Sequence, residues 1–165
     1  MTSATPSLFD ARSRLDPLGH YPVRAGHDVI VARAGVRRHA SLMGFDRVPT
    51  AELVIVASEL AANVLRHGAG GWLDVERRDD PTHGTALVLT ARDFGPPFVD
   101  FERALRDRST DKGTIPPDAI YGRPGIGGGL GAVKRFCDAV GTESLSDGKR
   151  VRAVRFLRGA RREGR

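Results

Sequence analysis

The stretch Thr50-Ala51-Glu52-Leu53-Val54-Ile55-Val56-Ala57-Ser58-Glu59-Leu60-Ala61-Ala62-Asn63-Val64-Leu65-Arg66-His67-Gly68 decides how the rest of the chain is read. Leu53, Ala57, Leu60 and Val64 recur at helical spacing, which places them on one stripe facing a core. Thr50, after Pro49, or a neighbour is placed to cap the start. Gly68, followed by Gly70 and Gly71, supplies the stop. The expected element is a helix of about five turns. Beside the apolar stripe runs a second line of Glu52, Val56, Glu59, Asn63 and Arg66 or His67, with Glu59 and Asn63 one turn apart. Asparagine inside a helix is a poor helix former because its amide competes for backbone hydrogen bonds. A Glu and an Asn on this margin are therefore read either as a half-exposed polar edge or as groups facing a ligand.

Upstream, Val29, Ala32, Val36, Ala40 and Met43 share a helical face that Asp28 can cap and Gly44 ends. The short Phe45 to Pro49 connection suits two antiparallel helices on one side of a sheet. His39 is assigned to the surface. His20 to Arg24 reads as a short strand, and Pro22 places it at a sheet edge. Residues 1–14, small and polar around Pro6, read as a flexible tail; residues 15–158 form the single domain, and 159–165 a basic tail.

Downstream, Trp72–Arg78 alternates and Ala86–Asp93 is nearly continuously apolar, with a turn-rich segment between them. They read as a hairpin whose second strand is the more central. That strand runs into Asp93-Phe94-Gly95-Pro96-Pro97-Phe98. A carboxylate at a strand exit can accept from a ligand's amino group, and a glycine two residues later lets a backbone come close; an ordinary turn is the competing reading. Phe101–Arg106 suits a short helix behind Asp100. Residues 107–125 show no periodicity and are rich in Pro and Gly, as functional loops often are. They lead into Gly125-Ile126-Gly127-Gly128-Gly129-Leu130-Gly131, which opens a helix on which Leu130, Val133, Cys137 and Val140 keep helical spacing. A glycine-rich loop at a helix N-terminus presents unobstructed N–H groups to phosphate oxygens. It is neither a Walker loop, lacking Gly-Lys-Ser/Thr, nor a dinucleotide fingerprint, lacking a strand directly before it. Lys134 and Arg135 are read as solvated. A final hairpin pairs Gly141–Leu145 with Arg150–Leu157 around Ser146-Asp147-Gly148.

Composition sets the bounds. At 165 residues, 40% hydrophobic and 28% charged, the chain suits one soluble domain. No apolar run approaches the roughly 20 residues of a membrane helix, and the first residues lack a secretory pattern. Cys137 is alone, so no internal disulfide forms, in keeping with a cytoplasmic setting. The net charge of +6 comes from scattered arginines, apart from Arg158, Arg161, Arg162 and Arg165, and aromatic residues are few. Nucleic acid and membrane are not the expected partners.

The order of the motifs, Glu59 with Asn63, then Asp93-x-Gly95, an irregular lid, and Gly125-x-Gly127-x-Gly129-Leu130, resembles the histidine-kinase-like ATPase (GHKL, Bergerat-fold) superfamily. Within it the chain is most similar to the bacterial anti-sigma-factor and switch-type serine/threonine kinases of stress signalling, through E-L-A-A-N-V-L-R-H-G, R-A-L-R-D-R-S-T and G-I-G-G-G-L-G-A-V-K-R-F-C-D-A-V. The resemblance spans about Val23 to Leu157. It implies an α/β sandwich (α+β) of a mostly antiparallel mixed sheet with helices on one face, binding ATP and magnesium between helices and lid. It assigns Asn63 to magnesium and Glu59 to the general base. Asp93 takes the adenine amino group and Gly95 lets the base approach, while Gly125, Gly127, Gly129 and Leu130 close on the phosphates. The implied activity is transfer of phosphate to a small STAS-domain anti-anti-sigma or stressosome-type protein. A sigma factor or a phosphatase is a further possible partner, and a nucleotide-binding anti-sigma or adaptor module is the alternative function.

Three features depart from the family pattern. Pro96-Pro97 stiffens the turn after Gly95, residues 111–124 make a longer lid, and Gly148-Lys149-Arg150 replaces the usual Gly-Thr before the last strand, removing one hydroxyl.

Overall fold

A computed structural model describes residues 8–9, 14–106, 109–110, 113–114 and 129–159. In chain order they form β1 (Leu15–Val23), α1 (Gly26–Met43), α2 (Arg47–His67), β2 (Gly71–Asp80), β3 (Gly84–Asp93), α3 (Phe101–Ala104), β4 (Ser109–Thr110), β5 (Gly113–Thr114), α4 (Gly129–Phe136), β6 (Ala139–Leu145) and β7 (Gly148–Phe156). Five strands make one sheet in the order β1-β2-β3-β7-β6, and the two-residue strands β4 and β5 pair separately. Every described pair is antiparallel, so the sheet carries no mixed character.

Strand register explains how the sheet presents two unlike faces. Leu73 of β2 lies opposite Ala91 of β3, which lies opposite Val151 of β7; the next row is Val75, Leu89 and Ala153. These side chains, with Val23 and Leu87, meet Ala32, Val36 and Ala40 of α1, Leu53, Ala57, Leu60 and Val64 of α2, and Leu130 and Val133 of α4 in one core. Each fully buried Val or Leu of this kind stabilises the fold by about 1.5–3 kcal/mol. The helices therefore occupy one face, as the alternation implies.

On the opposite face a small apolar cluster of Ala86, Val88 and Val154 is flanked by Leu8, Leu15, Ala139 and Phe156. The rest is polar. Thr90 donates to Glu76 at 3.2 Å and accepts from Arg152 Nε at 3.1 Å, and Arg152 also donates to the Leu8 carbonyl. The Phe9 ring lies under the guanidinium groups of both Arg150 and Arg152. Within the N-terminal segment, Leu8 and Phe9 thus lie against this face. Burial raises the Glu76 carboxyl above the ordinary carboxylate range, and the nearby Arg152 and the Thr90 hydroxyl oppose that only in part.

Several local expectations are corrected. Helix α1 starts two residues before Asp28: Ala25 is the N-cap, and the Asp28 carboxylate accepts from the Arg24 and Ala25 N–H groups at 2.8 and 2.9 Å, from the first turn rather than the cap. Helix α2 starts at Arg47 behind Asp46, which leaves Thr50 inside the helix with its hydroxyl on the Phe45 carbonyl. His39 is half-buried and pairs with the Tyr21 hydroxyl at 3.0 Å; burial lowers its pKa, so it is not a free surface histidine. Helix α4 ends at Phe136, so Val140 belongs to β6 and its helical spacing is incidental. Cys137 follows that end with its thiol pushed up to about 12 by burial, which keeps it as the unreactive thiol.

Helix α2, 21 residues long, is also apolar enough by length and composition to cross a membrane, contrary to the reading of the bare sequence. Two thirds of its most apolar window is buried inside the fold, as suits a core helix.

Candidate functional site

Two elements converge at one end of the sheet. Helix α2 packs over the sheet and against both α1 and α4. This double cover buries Val56, Glu59 and Asn63 of the second line together with the apolar stripe, while Glu52 and Arg66 stay half-buried and His67 exposed. Glu59 is 2% exposed and Asn63 8%, so they are not a solvated margin. The Asn63 amide makes no side-chain hydrogen bond to any described residue. Its oxygen and nitrogen are not sealed from water, however; among the described side chains only Arg78 Nε is both buried and without a hydrogen-bond partner, so the Asn63 amide opens onto the surface of the site. The amide oxygen is a neutral, hard donor, the ligand type that a magnesium ion accepts beside waters and phosphate oxygens.

Strand β3 ends under the last turn of α2. Asp93 is buried, and its Oδ1 accepts from the Gly95 N–H at 2.8 Å and from Lys149 Nζ at 2.9 Å. A Cβ on Gly68 would lie 2.4 Å from the Asp93 Cβ, and one on Gly95 would lie 1.9 Å from the His67 carbonyl oxygen. Glycine is thus required at both positions by the contact between helix end and strand end. At Gly95 the side on which a Cβ would stand is filled by the end of α2.

Lys149, at the start of β7 and opposite Asp93 in register, is 2% exposed. Its ammonium lies over the Phe98 ring, which stacks edge-on against Phe101. The pairing of Lys149 with Asp93 is the element that sequence reasoning missed. The sequence shows Lys149 only as a lost hydroxyl; the signal that could have found it was a lysine at the tip of the hairpin adjoining a central strand that ends in Asp. Next to it, the Arg92 guanidinium donates to the Asp93 carbonyl and to Asp147, and lies over Phe94.

Gly129 opens α4, and Leu130, 6% exposed, anchors that helix in the core. Gly125 and Gly127 lie outside the described residues. The structure therefore brings Asp93 and Gly95 against the end of α2, with Asn63 about one turn and Glu59 about two turns before that end and α4 packed against α2.

The sequence model of the histidine kinase-like ATPase domain matches residues 23–155, from the end of β1 to the end of β7. The chain belongs to that family. No curated protein sequence matches it. As a histidine kinase-like ATPase domain it is an ATP-binding, kinase-like module, and its antiparallel sheet with helices on one face is the α+β sandwich of that family.

Proposed function

We propose that this ATPase domain is an ATP- and magnesium-dependent serine/threonine protein kinase of the anti-sigma or switch type, acting in the bacterial cytoplasm on a STAS-type regulatory protein. The observation that carries the reading is that Asn63, whose amide makes no hydrogen bond to a described residue and still reaches solvent, stands one helical turn from the buried Glu59 on α2.

In this reading Asn63 holds magnesium through its amide oxygen, and magnesium, when bound, neutralises charge on the phosphates. Glu59 accepts the proton of an incoming serine or threonine hydroxyl. Its burial beside α4 keeps water from competing for that position. Asp93 faces the base, and the N–H groups at the start of α4 face the phosphates. Catalysis of this kind needs alignment and charge stabilisation more than covalent help.

One observation favours the second reading, a nucleotide-binding anti-sigma or adaptor module with little turnover. Asp93 is already bonded to Lys149, so the base end of the site is neutralised from within. The deciding experiment incubates the captured partner with ATP and magnesium and weighs it by intact mass spectrometry. The kinase reading expects one phosphate added by the wild type and at least about 10²-fold slower addition by Glu59→Gln. A tight complex without any mass change leaves the binding module.

A further inference from the structure

The base end of the site is occupied by the chain itself. Lys149 and Asp93 are each 2% exposed, and the Lys149 ammonium lies 2.9 Å from Asp93 Oδ1. The amino group of adenine is an N–H donor too, which a carboxylate accepts at about 3 Å. Donor for donor, the ammonium stands where such a group would stand, and its bond is the stronger because it is charge-assisted.

Three features make this occupant displaceable. An ammonium carries three N–H donors, yet Asp93 is its sole acceptor among the described residues, the other neighbour being the Phe98 ring at 5.4 Å. A buried ion held by so few contacts regains its hydration on leaving. Lys149 also follows the hairpin tip at Asp147-Gly148, where Asp147 is exposed, so a swing of its flexible stem leads to water. Asp93 keeps its place when the ammonium goes, because the Gly95 N–H holds the same Oδ1 at 2.8 Å and the end of α2 packs against its Cβ.

We propose that Lys149 is a built-in occupant that closes the base seat in the ligand-free protein, and that an adenine nucleotide enters by driving the ammonium out to solvent. The inference rests on the reading of Asp93 as the group that faces the base. Nucleotide affinity is then lowered by the fraction of molecules whose seat is open, and a phosphate compound without a base escapes that penalty.

The test is amine labelling of the wild-type full chain, whose only lysines are Lys112, Lys134 and Lys149, with the exposed Lys134 as internal reference. Brief treatment with acetic anhydride is read by peptide mass spectrometry, beside calorimetry of ATP and of inorganic tripolyphosphate, both with magnesium. Without nucleotide Lys149 should react at least about 10²-fold more slowly than Lys134. Saturating ATP should raise its rate by about tenfold or more, and tripolyphosphate should not. Lys149→Ala should bind ATP about tenfold or more tightly than the wild type does, with tripolyphosphate unchanged. ATP bound while Lys149 stays protected overturns the inference and leaves the ATP site standing, as does a ligand-free Lys149 as reactive as Lys134 or an unchanged ATP affinity in Lys149→Ala. Should Lys149→Ala fail to fold, as judged by its melt, the wild-type labelling decides alone. Binding of ATP by Lys149→Ala and not by the wild type supports the inference. Absence of binding by both proteins, for ATP and tripolyphosphate alike, removes the nucleotide reading and the inference with it.

Discussion

The two halves of the site handle buried polarity in opposite ways. On the α2 margin the Asn63 amide makes no hydrogen bond to a described residue and still reaches solvent, whereas at the β3 end Asp93 is buried and accepts from Gly95 and Lys149. The first half leaves its polar group open to what binds; in the second, carboxylate and ammonium are closed on each other. A group left unpaired in this way marks where ligand free energy can be gained, while an ion pair closed on itself contributes structure and shapes what is accepted.

The contrast is broken most severely at Asp93. Asp93→Ala leaves Lys149 buried without a counter-charge, and should lower stability by about 3–5 kcal/mol in urea unfolding. Replacing both partners, Asp93→Asn with Lys149→Met, should recover most of that loss, because the cost lies in the orphaned charge. A single mutant as stable as the wild type would mean that the pair is not the sealed unit described.

Saturating nucleotide sharpens the other half. At one hundred times Kd it should stabilise the fold by about 2.7 kcal/mol, read as a rise in Tm. Asn63→Ala should leave the ligand-free protein within about 1 kcal/mol of wild type, since it removes no hydrogen bond to a described residue, yet lower magnesium-dependent nucleotide affinity by about tenfold or more. Loss of ligand-free stability larger than that would place a structural partner on Asn63 instead.

The smallest effect belongs to Glu76, on the helix-free face. Its folded pKa is raised, so the native state holds its proton more tightly than the unfolded chain. That contribution is fully present below the ordinary value of 4.5 and is lost as pH rises through the folded value. Glu76→Gln should flatten this part of the stability profile, measured as the urea midpoint from acid to neutral pH. An unchanged slope would assign the pH dependence elsewhere.

Much of this was legible in the chain because it is local. The period of Leu53, Ala57, Leu60 and Val64 fixes the core helix, and the alternation from Trp72 to Arg78 with the apolar run from Ala86 to Asp93 fixes the hairpin, since both signals lie within a few residues. The order of motifs led to the family that residues 23–155 match. Helix starts at Arg47 and Gly26 were missed because caps there use Asp46 and the Asp28 first-turn bonds rather than the expected residues. The Lys149–Asp93 pair joins positions 56 residues apart and depends on which strand lies next to β3, a fact of topology that no local pattern encodes. The burial of Asn63 likewise depends on α4 packing over α2 from the other end of the chain.

The contact of Gly95 with the His67 carbonyl has a mechanical consequence. With no room for even a methyl group between them, the end of α2 and the end of β3 behave as a welded joint. Glu59, Asn63 and Asp93 therefore ride on one rigid body, and a displacement felt by the strand end is delivered undamped to the helix. The spacing between base seat and phosphate-side margin is set once, at folding, like the jaws of a fixed-gauge caliper.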